Sequence, residues 1–217
     1  MALKLYFWPT ANGIKIPIML EELDIPFESV PLNIRNGEHK TAAFAALNPN
    51  VKIPVLVVEA ANKDLVLNES AAILTYLAER EGRFLPRDSS GRQAVLAWLF
   101  WHAAHQVPTL GLYQRLHEQI PEQAGDALRR TVLGDVAQIY RRLENQLAHS
   151  AYVAGEYSIA DIAVYPWIQP RRQGQDIASY PNLQRWYETV RSRPAVIRAY
   201  DFGQKLAPTE KSLQDWR

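Results

Sequence analysis

The stretch Asn48-Pro49-Asn50-Val51-Lys52-Ile53-Pro54-Val55-Leu56-Val57-Val58 constrains this chain more than any other. It is a turn, one polar residue, a proline, then an apolar run. A strand tolerates a missing N–H at its first residue or at an edge, so Pro54 sits at the mouth of a strand and not within one. Two readings of the Ile53–Pro54 bond stay open. One is a trans proline that simply starts a strand. The other is a cis bond, a form that only about 5–6% of X–Pro bonds adopt. A turn at this point leaves the N–H and C=O of Ile53 without a strand partner. In a cleft those groups need another partner, and a peptide-like ligand would serve.

The surroundings of that strand define a small mixed sheet. Residues 3–8, Leu-Lys-Leu-Tyr-Phe-Trp, alternate partly and are rich in aromatics, which predicts a strand. Pro9-Thr10-Ala11-Asn12-Gly13 breaks the pattern. Ile14 to Leu23 then fits a helix buried on a wide face, with Pro17 tolerated in its first turn and Asp24 and Pro26 closing it. Phe27 to Leu32 is a second strand, and the β-α-β order predicts parallel pairing with a right-handed crossover. A polar loop follows, then a short alanine-rich helix over 42–47 capped by Thr41. The strand 55–58 and a short strand 65–67 form an antiparallel hairpin. Asn68-Glu69-Ser70 leads into a helix over 71–78. The order βαβαββα fits a sheet covered by helices.

Residues 82–92, Gly-Arg-Phe-Leu-Pro-Arg-Asp-Ser-Ser-Gly-Arg, read as a linker. Beyond it the pattern is helical throughout, over roughly 90–117, 122–149, 159–169, 182–192 and 195–205. The expected organisation is therefore a mixed α/β domain over 1–81, the linker, and an all-helical domain over 93–217. Residues 206–217 look like a surface tail from which Leu213 and Trp216 could pack back. Ser158 and Asp161 form a capping box at the start of a nearly all-apolar helix, with Tyr157 and Ile162 placed as its hydrophobic staple. These are folding determinants rather than chemistry.

Composition removes several function classes. The 217 residues contain no cysteine, which excludes structural disulfides, thiolate metal sites and a cysteine nucleophile. Any thiol chemistry must borrow its sulfur from a ligand. A formal charge of +1 gives no reason to expect nucleic acid. No apolar run reaches the length of a membrane span, and no signal peptide is visible, so a cytoplasmic setting is the expectation. There is no phosphate loop, dinucleotide fingerprint or nucleophile elbow.

Three junctions carry candidate chemistry: 9–13, 49–54 and 68–70. Free N–H groups ahead of a helix attract carboxylates. The Ser70 hydroxyl and N–H could donate to an anion, or Ser70 could simply cap its helix. Thr10 and Asn12 could cap and turn, or could hydrogen-bond a ligand thiolate and so favour its charged form. His39 lies in the polar loop. His102 and His105, three apart beside Trp101, have the spacing of a metal pair but no evident third ligand, so no metal is expected. His117 and His149 read as surface residues. Pro108 and Gly111, with Trp98, Trp101 and Tyr113, suit either an apolar substrate cleft or ordinary core packing.

Taken together, Asn50-Val51-Lys52-Ile53-Pro54, Leu67-Asn68-Glu69-Ser70-Ala71-Ala72-Ile73 and Ser158-Ile159-Ala160-Asp161-Ile162-Ala163 resemble the glutathione transferase family over essentially the whole chain. Phe7-Trp8-Pro9-Thr10-Ala11-Asn12-Gly13-Ile14-Lys15 is similar to the bacterial Nu class, whose members also resemble the yeast nitrogen-regulatory prion protein. The resemblance implies a thioredoxin-like α/β domain followed by an all-α domain, and a homodimer binding glutathione as cosubstrate without a metal. Pro54 would be the family's cis-proline, with the Ile53 backbone pairing the cysteinyl part. Glu69 and Ser70 would hold the γ-glutamyl end, Lys52 and His39 the glycyl end, and Thr10 and Asn12 would stand near the sulfur. The implied activities are reduction of disulfides and organic hydroperoxides, with weak conjugation of electrophiles. Tyr6 falls near, but not squarely on, the catalytic tyrosine of other classes, where a core aromatic on the first strand is the alternative. A non-catalytic glutathione-binding regulator is the alternative for the whole chain, since fold does not settle activity.

Overall fold

The structure is a computed structural model that describes residues 2–119, 126–210 and Leu213. The described residues group into two compact units. One combines the first 83 residues with those from Arg193 onward. The other is Phe84–Ser192.

The first unit is built on a four-stranded sheet in the order β2-β1-β3-β4. Strand β1 (Leu3–Phe7) pairs in parallel with β2 (Glu28–Pro31) and antiparallel with β3 (Val55–Val58), which pairs antiparallel with β4 (Leu65–Asn68). Every residue of β3 is buried, as its continuous apolar run requires of a central strand. Helix α1 (Lys15–Glu22) makes the crossover from β1 to β2. Helices α2 (Ala42–Leu47) and α3 (Ser70–Glu81) follow β2 and β4. Thr41 caps α2 by accepting from the Phe44 N–H, as expected. Gly82, at φ 64°, ends α3 in the left-handed conformation.

The C-terminal helix α9 (Pro194–Leu206) belongs to this first unit by its contacts, whereas the expected division by chain order ran the second domain from 93 to 217. Two carboxylates near the end of α1 hold it there. Glu22 receives a two-point hydrogen bond from Arg193 at 2.5 and 2.9 Å, and Glu21 pairs with Arg198. Phe202 stacks on Phe7 and meets Phe27 edge-on, both at 5.9 Å between ring centres. Nor do residues 206–210 and 213 form a surface tail. Ala207, Glu210 and Leu213 are buried, while Trp216 lies outside the described residues.

The second unit is helical. Helix α4 (Ser89–Trp101) starts inside the expected linker, because the Asp88 carboxylate caps it by accepting from Gly91 N–H at 2.8 Å. A single π-helical turn (His102–Gln106) joins α4 to α5 (Val107–Gln119). Helix α6 (Asp126–Leu147) follows; the expected start near 122 lies outside the described residues. Helix α7 (Ile159–Val164) is fully buried and begins with the predicted capping box. Its Asp161 also accepts from Val153 N–H and from the Trp186 indole on α8 (Pro181–Arg191). Tyr157 packs on the rings of Phe84 and Tyr152.

Two of the aromatic residues suited to a cleft are core, whereas Phe100 on α4 is exposed. Trp98 and Tyr113 are buried, Trp98 packing edge-on against Trp101 and Tyr113 against His117. Buried His102 bonds Gln106 at 2.5 Å, and Gln106 bonds the Val164 carbonyl. His105 is exposed. No group of three metal-ligating side chains occurs among the described residues.

Candidate functional site

The β1–α1 loop is folded by close backbone approaches. Thr10 N–H donates to the Trp8 carbonyl at 2.7 Å, and the Thr10 hydroxyl accepts from Gly13 N–H at 3.2 Å. Gly13 is obligatory, since a Cβ there would stand 1.9 Å from the Trp8 oxygen. Asn12 leaves this loop toward a cleft of about 140 Å³ lined by Asn12, Asn48, Lys52, Ile53, Pro54, Glu69 and Ser70. The structure thus brings together six of the eight residues singled out from sequence. Thr10 sits two residues from Asn12 without lining the cleft. His39 is off the cleft wall, yet the Lys52 charge acts on it.

The Ile53–Pro54 bond is cis. Neither the N–H nor the C=O of Ile53 has a hydrogen-bond partner among the described residues. An extended peptide backbone fits that pair of unmet groups. Asn48, which sequence reasoning treated only as the end of a helix, holds this loop in place. Its buried side chain donates to the Lys52 carbonyl at 2.8 Å and accepts from Asn50 N–H at 3.0 Å. Asparagine before proline was its only sequence signal.

At the start of α3, Glu69 and not Ser70 is the capping position, and its side chain makes no capping hydrogen bond among the described residues. Glu69 takes φ 65°, rare outside glycine, and its side chain is exposed. Non-glycine residues in such conformations gather at ligand sites. Ser70 opens the helix, where backbone N–H groups and the helix dipole favour an anion.

Behind the cleft lies a residue that the sequence reading passed over. Lys15 is fully buried at the start of α1, and its ammonium donates to Asn12 Oδ1 at 2.7 Å and to Ser70 Oγ at 3.2 Å. Burial pushes its pKa down to about 7, against the opposing pull of the Glu69 carboxylate. The available signal was a lysine between two isoleucines on an otherwise apolar helix face.

His39 has its Nδ1 buried and without a hydrogen-bond partner among the described residues. Burial, and then the charges of Lys40 and Lys52, hold its pKa below the usual histidine value. Tyr6 lies on β1 with its ring 6.2 Å from that of Phe44, and it does not line the cleft.

A thioredoxin-like sheet with a cis-proline beside a helix N-terminus, joined to a helical unit, defines the glutathione transferase architecture. Residues 12–80 match the family model of the glutathione S-transferase N-terminal domain, and residues 100–194 that of the C-terminal domain. The chain belongs to the glutathione transferase family, and its relatives are of the Nu-class type. It is 38% identical over 200 residues to the disulfide-bond oxidoreductase YfcG of Escherichia coli K12, covering 90% of this chain and 93% of that one. A crystal structure of a glutathione transferase from Burkholderia graminis, with two glutathione molecules bound per subunit, superposes with a TM-score of 0.85. The two are 32% identical, over 96% of this chain and 89% of the other. One from Pseudomonas putida, with one glutathione disulfide bound per subunit, gives a TM-score of 0.83 at 31% identity, over 91% and 90% of the two chains.

Proposed function

We propose that this chain is a glutathione-dependent disulfide reductase. The observation that carries the reading is the convergence of the unmet Ile53 backbone, Lys52, Glu69, Ser70 and Asn12 on one cleft in a chain without cysteine. The cysteinyl part of glutathione pairs with Ile53. Its γ-glutamyl carboxylate meets Ser70 and the start of α3, and its γ-glutamyl amine meets the Glu69 carboxylate. Lys52 and His39 take the glycyl carboxylate. The unpartnered His39 Nδ1 supports that assignment, because a bound carboxylate would favour its protonated form.

The catalytic work of the chain is to stabilise a thiolate, the nucleophile in disulfide exchange. The Thr10 oxygen already accepts from Gly13, so its hydroxyl hydrogen is left to donate. Asn12 is the second donor. The thiolate attacks one sulfur of the disulfide, an S–S bond forms, and the other sulfur leaves as a thiolate that takes up a proton. A second glutathione resolves the mixed disulfide, releasing glutathione disulfide and the second thiol. Two glutathiones thus supply the two electrons. The same thiolate would reduce organic hydroperoxides and, weakly, add to electrophiles. The working form is a homodimer in the cytoplasm. Among the described residues no helix is long and apolar enough to cross a membrane.

Turnover of hydroxyethyl disulfide with glutathione, followed by coupled reduction of glutathione disulfide, tests the reading. A chain that binds glutathione but turns over neither that disulfide, a hydroperoxide nor an aryl halide would be the non-catalytic binder instead. Light scattering reports the dimer.

A further inference from the structure

We propose that Lys15 is a positioning residue that sets the polarity of the cleft: its buried ammonium commits Asn12 and Ser70 to act as hydrogen-bond donors toward a bound anion. This rests on the glutathione reading above. An ammonium has three donors and no acceptor, so any group it touches must accept. Asn12 meets it with Oδ1, which turns the Asn12 NH2 away from Lys15. Whatever that NH2 meets, it meets as a donor. Ser70 meets Lys15 with its oxygen, so its single O–H points elsewhere. Both residues line the cleft, and Lys15 lies wholly behind them. One cation therefore orders two neutral groups on separate elements, one toward the thiolate and one toward the γ-glutamyl carboxylate.

The charge environment supports the assignment. Glu69 at the start of α3 acts on Lys15. The acidic groups at the far end of α1 are already engaged, Glu22 by Arg193 and Glu21 by Arg198 of α9. Burying a charged ammonium is costly, and nearby negative charge offsets that cost, as Glu69 does in part. A bound anion on the other side of Asn12 and Ser70 would do so.

The test compares the wild-type chain with Lys15→Met, which keeps the length and removes the donors. Titration calorimetry with glutathione and with S-methylglutathione reads the carboxylate arm. Ultraviolet absorbance of the bound thiolate against pH reads the sulfur arm. Lys15→Met should weaken both ligands about 10- to 100-fold, the range of one hydrogen bond to a charged group, and should raise the pH at which bound glutathione ionises. A purely structural role would lower stability and leave that ionisation where it was. If Lys15→Met does not fold, the Lys15 Cε resonance of the wild type is followed against pH with and without glutathione. Its midpoint should rise on binding, and an unchanged midpoint overturns the proposal. A wild type that binds no glutathione sinks the functional reading and this inference with it. A wild type that binds, matched by Lys15→Met in affinity and in thiol ionisation, overturns the Lys15 role alone.

Discussion

The indole N–H of Trp8 donates to the Glu210 carboxylate at 3.0 Å, across 202 residues of chain. The same buried carboxylate receives Arg35 at both oxygens, at 2.6 and 3.0 Å. Glu210 therefore ties the residues after α9 to two loops, the one that carries Thr10 and the one that carries His39. Glu210→Ala strands the Trp8 N–H and removes the acceptor of Arg35. The expected loss is about 1–3 kcal/mol, the cost of leaving buried polar groups unsatisfied, since half-exposed Arg35 regains water. Urea unfolding at constant slope would measure it. A loss below a few tenths of a kcal/mol would mean that the tie is incidental.

Gly13→Ala tests the loop itself. The new Cβ would meet the Trp8 carbonyl at 1.9 Å, which no rotamer relieves because the obstacle is backbone. The loop must move, carrying Thr10 and Asn12 off their positions. Overpacking of this kind costs about 1–3 kcal/mol. Turnover should fall further than that loss of folded protein explains, because the proposed sulfur donors are displaced. Equal activity per folded molecule would separate the loop from catalysis.

The assignment of the glycyl end makes a ligand-dependent prediction. Lys52→Ala and His39→Ala should each weaken glutathione binding about tenfold, one hydrogen bond to a charged group. Turnover at saturation should hold, because contacts made equally in ground and transition states do not enter kcat. γ-Glutamylcysteine lacks the glycine, so the same substitutions should leave its affinity unchanged. If both ligands weaken together, Lys52 and His39 act elsewhere.

The parts of the fold that local pattern dictates were legible in the sequence. The parallel β1–β2 pairing follows from a helix between two strands, and the Ser158–Asp161 box from four adjacent residues. The cleft was legible where its residues sit in short motifs: Lys52 to Pro54, Glu69-Ser70, and Asn12. What was not legible depends on distant partners. Lys15 reads as a helix residue until Ser70, 55 positions on, is brought beside it. Asn48 reads as a helix end until its amide closes the loop at Lys52. Glu210 reads as a surface acid because nothing near it in sequence announces Trp8 or Arg35. The attachment of α9 to α1 is hidden for the same reason, since Arg193 and Arg198 meet Glu22 and Glu21 only in the fold.

Two buried groups should make stability depend on pH in opposite senses. Burial pushes the Asp161 carboxyl up to about 6 from an ordinary 3.8, despite bonds from Val153, Trp186 and Ser158 that favour its charge. The folded chain then holds a proton between about pH 4 and 6 that the unfolded chain has released, so stability falls as pH rises through that window. Lys15 behaves oppositely. Burial lowers it to about 7 from 10.5, so between those values the unfolded chain holds the extra proton and ligand-free stability rises with pH. Asp161→Asn should flatten the acid window and Lys15→Met the alkaline one, each in urea unfolding series across pH. Asp161→Asn should also be less stable overall, because an amide cannot accept at both oxygens the donors that Asp161 holds. A Lys15→Met chain that keeps the rise above pH 7 would assign that rise to another group and remove Lys15 as its source.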